Sequence, residues 1–199
     1  MMLTLFADSC LLVCALLLAG QSYRNGEQRA HTASFVISLA AAFIAIASLG
    51  TLVVEARNQD LQTLQRILDN LAFYAALPLL GTALLSQAWQ LDWSRAGWGR
   101  WLLALFALFE LMRRSELGNL YSQIVTAATL GLIIVSLIRL QQPMQRYIGL
   151  LALVPLTPAL LIFSQGSLMP EYYSTRDYAF SLALGLLMLA WQQRYNPSS

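Results

Sequence analysis

Apolar runs of membrane-crossing length dominate this sequence and constrain everything else about it. A helix needs roughly 20 mostly apolar residues to cross the hydrocarbon core. In that core every backbone N–H and C=O has to be satisfied within the protein, which leaves helices as the natural form for such runs. Candidate spans lie at 3–20, 33–54, 64–87, 98–115, 119–140, 147–165 and 177–193, with short polar segments such as 21–29, 87–100 and 141–146 between them. Tryptophan and tyrosine gather near the ends of the runs, among them Trp89, Trp93, Trp98, Trp101, Tyr147 and Trp191. That is the belt expected at headgroup level.

Composition agrees. The 199 residues are 58% hydrophobic and 11% charged, with a mean hydropathy of +0.59. A soluble domain carries about 25% charged residues, enough to clothe a globule in water. The expected fold is therefore all-α: a polytopic transmembrane helical bundle of about seven spans, forming a single domain over 1–199. Six spans is the alternative, because the clean apolar part of the fourth run (101–112) is short and already holds Glu110. The amino-terminal run lacks a basic leader segment and contains Asp8, so it reads as a retained helix and not as a cleaved signal.

Seven spans put the two termini on opposite sides. With the amino end outside and the carboxyl end inside, the inner segments hold Arg24, Arg29, Arg95, Arg100, Arg139, Arg146 and Arg194. The outer ones hold Arg57, Arg66, Arg113, Arg114 and Arg176. Seven against five favours this orientation under the positive-inside rule. The acids segregate further: Glu27 and Asp92 fall inside and the other eight outside. An uncleaved chain of this kind points to a multi-pass protein of a bacterial inner membrane.

Several functions are excluded or unsupported. All twelve basic residues are arginine, so no lysine is present to form a retinal Schiff base. A net charge of +2 with no basic run argues against nucleic acid as a partner. One histidine, His31, cannot supply bis-histidine haem ligation, and with Cys10 and Cys14 it makes a poor zinc set. No cofactor and no metal is expected. Walker, nucleophile-elbow, HExxH and CxxC motifs are absent from the sequence.

Polarity is informative where hydrocarbon makes it costly. In the second run Ser34, Ser38, Ala41, Ala45, Ser48 and Leu52 share one face and lead to Glu55, and small residues of this kind let helices approach closely. In the fifth, Asn119, Ser122, Thr126, Thr129 and Ser136 do likewise. The motif R-x-x-[D/E]-L-x-x-L occurs at 57–64 and again at 113–120, hinting at repeated hairpins. Glu55, Arg57, Arg66, Asp69, Asn70, Tyr74, Glu110, Arg113, Arg114 and Asn119 are expected to gather in the outer leaflet as a ligand-binding cluster. Arg66 lies one turn from Asp69, within reach for pairing.

Three functions compete. The first is a non-catalytic sensor, scaffold or accessory subunit, with membrane lipids, a membrane protein or a second copy of the chain as partner. The second is a small transporter or permeation subunit using an outward-facing polar cavity, with Pro78 and the Pro155/Pro158 pair as flexible points. The third is a lipid-active intramembrane enzyme with Asp69 or Glu110 as acid or base. Catalytic residues are not identifiable, and enzyme activity is the less favoured reading.

Overall fold

The computed structural model describes residues 2–29, 31–53, 59–115, 117–140, 143–161 and 179–189, the side chains of 2–4, 28, 29 and 119 excepted. Glu55 and Arg57, with parts of the R-x-x-[D/E]-L-x-x-L repeat, lie outside the described residues. The described chain is all-helical, with seven helices: α1 (Met2–Arg29), α2 (Thr32–Val53), α3 (Gln59–Trp89), α4 (Arg95–Arg114), α5 (Gly118–Ile138), α6 (Pro143–Leu161) and α7 (Ala179–Leu189). Five of them, namely α1, α2, α3, α5 and α6, are long and apolar enough to cross a membrane. Their outward faces carry bare large hydrophobics, such as Val13 at 54% exposure, Val53 at 70% and Val154 at 69%. Apolar surface on this scale is stable only against lipid or another protein.

Local chemistry sets the helix ends, and it moves some of them from where the apolar runs alone place them. α1 continues through the polar 21–29 segment to Arg29. α4 starts at Arg95 because Ser94, in extended conformation, accepts a hydrogen bond from the Gly97 N–H at 3.1 Å. A side-chain oxygen there satisfies one of the orphan donors of the first turn. α3 stops where Gln90 turns left-handed (φ 54°) and the Leu91 N–H reaches back to the Ser86 carbonyl. α6 opens on Pro143, whose missing N–H costs nothing at that position. Gln145, placed by the sequence in an interhelical loop, sits instead in the first turn of α6 and is only 2% exposed.

At 31 residues α3 is about 46 Å long, more than the roughly 30 Å hydrocarbon core. Its first part, Gln59–Asn70, has no buried residue and projects past the packed core along the end of α2. A π-helical turn, Leu71–Ala76, then leads into a segment in which nearly every residue from Ala75 to Leu84 is buried. Pro78 explains the widened turn. It cannot donate to the Tyr74 carbonyl, and its ring crowds that carbonyl, so the preceding turn opens.

Contacts along the bundle fix the helix directions. α1 and α2 are antiparallel, with Ser38 Oγ donating to the Ala19 carbonyl at 2.8 Å and Gly26 against Phe35. α2 and α3 are antiparallel, with Gln65 beside Thr51 at one end and Gln87 beside Ser34 at the other. α3 and α5 run parallel: Tyr74 meets Tyr121, and seven residues further on Gly81 meets Leu132 and Thr129. α4 returns the chain between them, pairing Trp101 with Thr82 and Phe109 with Tyr74. α6 folds back on α5, with Gly149 pressed against Leu137. α7 packs on α1, where Gly185 faces the Cys14 sulfur.

The core is built from small residues at these crossings. Ala15, Ala40, Ala41, Ala76, Ala83, Ala152 and Ala183 are fully buried. The serine–alanine stripe of α2 is buried at Ser34, Ala41, Ala45 and Ser48, and the hydroxyl face of α5 at Ser122, Thr126, Thr129 and Ser136. Both faces look into the bundle, as their spacing indicated. Among lipid tails, close backbone approach and dispersion replace the hydrophobic drive available in water.

Candidate functional site

The end of the bundle formed by the start of α3 and α5 and the close of α2 and α4 carries most of the polar residues singled out in the sequence. On the overhang of α3, Gln65 is the organiser. Its amide donates to Asp69 Oδ1 at 3.0 Å, to Thr51 Oγ1 at 3.2 Å and to the Ala47 carbonyl at 3.4 Å. Gly50 lets this happen, since a Cβ there would collide with the Gln65 amide. Asp69 is thus tied to α2 through an amide. Arg66, on the same helix, is exposed, and Asn70 is half-buried.

One turn deeper, the π turn brings Tyr74 into an aromatic column. Its ring stacks on Phe109 of α4 at 4.4 Å and on Tyr121 of α5 at 5.5 Å, with Phe73 edge-on at 4.9 Å. Offset aromatic pairs of this kind add about 0.5–1.5 kcal/mol beyond the area they bury. Tyr121 is 4% exposed, and among the described residues its hydroxyl and those of Thr126 and Thr129 below it have no hydrogen-bond partner.

Glu110, next to Phe109, behaves differently. Arg113 holds it with two bonds, Nε to Oε2 and Nη2 to Oε1, both 2.9 Å, and Arg114 Nε adds a third at 2.9 Å. All three donors come from its own helix at i+3 and i+4, and all three side chains are exposed by a third or more. Asn119 lies in the first turn of α5. Tyr74 therefore sits at the α3/α4/α5 junction and Asp69 beside α2, whereas Arg66, Arg113 and Arg114 are exposed and Glu110 is partly so.

Residues that sequence reasoning passed over are also well placed. Asp8 on α1 is 9% exposed, the one buried carboxylate among the described residues. Phe109 and Tyr121 complete the aromatic column. At the opposite end, Gln21, Ser22, Asn25, Ser34 and Gln87 from α1, α2 and α3 line a cavity of about 20 Å³ closed by Leu187 and Met188 of α7. Gln87 Nε2 donates to Ser34 Oγ there at 2.7 Å. A polar space of that size is enough for about one water molecule. Among the described residues no three His, Cys, Asp or Glu side chains converge as a metal site.

No protein-family model matches this chain, and neither curated proteins nor solved structures give a match to it.

Proposed function

We propose that this chain is a non-catalytic, multi-pass component of a bacterial inner membrane, acting as a scaffold or accessory subunit for another membrane protein. The observation that carries the reading is the closure of Glu110 on Arg113 and Arg114 of its own helix. A carboxylate reserved for a ligand or a proton would turn toward a cavity shared with other helices. Here its acceptor positions are taken by neighbours on an exposed rim. Asp69 is likewise held by Gln65. The broad apolar exterior, bare at Leu103 and Leu111 of α4, offers a face for a partner helix.

The topology that goes with this function is seven crossings, amino end outside and carboxyl end inside. Parallel α3 and α5 support it, because the chain has to travel back along α4 before α5 can run beside α3. The charges of α4 sit toward its ends, Arg95 and Arg100 at one and Glu110, Arg113 and Arg114 at the other, leaving 101–109 free of charge.

Purification in mild detergent, followed by mass spectrometry of proteins and lipids, tests the function. An accessory subunit brings down one protein in fixed proportion, and Leu103→Arg on the bare α4 face releases it. Recovery of the chain alone, with transport or lipid-modifying activity lost on Asp69→Asn or Asp8→Asn, would establish a transporter or an enzyme instead. Membrane-impermeant labelling of single cysteines at Ser94 and Ser115, in a Cys10→Ala/Cys14→Ala background, tests the topology. Labels on opposite sides fit seven crossings; labels on one side remove α4 as a span.

A further inference from the structure

At the end holding the starts of α2 and α4, a groove of about 240 Å³ runs between these two helices over α3. Val36, Leu39, Leu79 and Leu102 make it apolar, with Thr32 and Arg95 at its upper edge. The lining positions step 32, 35/36, 39 on α2 and 95, 98/99, 102 on α4, two turns of each helix and so about 10 Å of depth. Gly99 keeps it open: a Cβ there would meet nothing within 4 Å.

The mouth is chemically distinct from the walls. Arg95 is an exposed cation, poised over the Phe35 ring at 5.7 Å, and no carboxylate pairs with it among the described residues. Asp92, in the preceding loop, faces His31 at 3.9 Å. Trp98, one turn below Arg95, lines the groove at 5% exposure, its indole N–H buried and without a partner among the described residues. Two helix amino-terminal ends, of α2 and α4, meet at this edge and add positive potential. A greasy slot beneath a cation and two positive dipole ends complements one class of occupant.

We propose that this groove binds an anionic phospholipid, one acyl chain lying along Val36, Leu39 and Leu102 and the phosphate held by Arg95 at the mouth. The inference rests on membrane embedding alone and stands whether or not the chain is an accessory subunit. Charge selects the headgroup and Gly99 admits the chain. Neither requirement is met by an arbitrary lipid-facing surface.

The test is a lipid titration of the purified full-length chain in detergent, followed by native mass spectrometry, with phosphatidylglycerol and phosphatidylcholine of identical acyl chains. Phosphatidylglycerol is expected to bind about fivefold more tightly, the weight of one arginine against an anionic headgroup. Arg95→Gln brings that ratio to near one, while Arg100→Gln, outside the groove, leaves it unchanged. Gly99→Leu fills the slot and weakens both lipids, and an unaltered melting temperature without added lipid shows that it still folds. Inorganic phosphate alone neither binds nor displaces the lipid. A ratio insensitive to Arg95→Gln, undiminished binding in Gly99→Leu, or displacement by free phosphate each overturns the proposal.

Discussion

Gly81 sits where α3 and α5 run side by side, and its replacement tests the parallel pairing on which the bundle's topology depends. A methyl group at this position would lie 3.3 Å from Leu132 Cβ and 3.5 Å from both Leu132 Cδ1 and the Thr129 carbonyl. Gly81→Ala therefore brings a tight contact, offset by the roughly 1 kcal/mol that alanine gains over glycine inside a helix. The net change should be within about 1 kcal/mol of zero. Gly81→Leu pushes three further carbons toward the backbone of α5, which cannot rotate aside as a side chain can, and overpacking of this kind costs about 1–3 kcal/mol. At about 2–4 °C per kcal/mol for a chain of this size, Gly81→Leu should melt roughly 2–12 °C below the parent. Thermal unfolding in a single detergent, followed by circular dichroism, provides the measurement. Gly131→Leu is the internal control, since it lies on the exposed face of α5 with nothing within 4 Å of its Cβ position, and its melting should hold or rise. Equal losses in the two leucine variants, or none in Gly81→Leu, would refute the α3–α5 contact.

Further outcomes follow from single contacts. Ser94→Ala removes the cap of α4 and should cost about 1 kcal/mol, read as a small fall in melting temperature that Ser94→Asp restores. Gln87→Ala strips the buried Ser34 hydroxyl of its donor and should cost about 1–3 kcal/mol, with part of the loss recovered in Ser34→Ala/Gln87→Ala as a double-mutant cycle. Thr129→Val deletes a buried hydroxyl that has no partner among the described residues while keeping its shape, so stability should be unchanged or higher by about 1 kcal/mol. Glu110→Gln, which loosens an exposed cluster, should leave melting and detergent behaviour as they are, because solvent-screened pairs contribute little.

The helical membrane fold was legible because it is written in run length, a signal that survives without knowledge of neighbours. The inward faces of α2 and α5 were legible for a similar reason: serine, threonine and alanine recur at helical spacing. Helix ends were less so. Run length marked the close of apolar character near residue 20, but nothing there breaks a helix, and α1 carries on to Arg29. The 98–115 run looked doubtful because its clean apolar part is short and four charges fall within it, whereas the pairings of Phe109 with Tyr74 and Trp101 with Thr82 give α4 its place along the bundle. Those pairings join residues far apart in the chain, which no local pattern encodes. The candidate cluster divides along the same line. Glu110 with Arg113 and Arg114 was visible at i+3 and i+4, while the Phe109–Tyr74–Tyr121 column was not, and Asp69 finds its amide on Gln65, a residue with no special mark in the sequence.

The order in which neighbours meet has a consequence for synthesis. Antiparallel hairpins α1–α2 and α2–α3 join segments adjacent in the chain and can close as soon as both have left the ribosome. The α3–α5 seam has to wait until α4 has been inserted, and the α1–α7 contact at Cys14 and Gly185 comes last of all. Until the final segment arrives, the first helix keeps open the flank on which α7 packs, so the closing of the bundle waits on the last described helix.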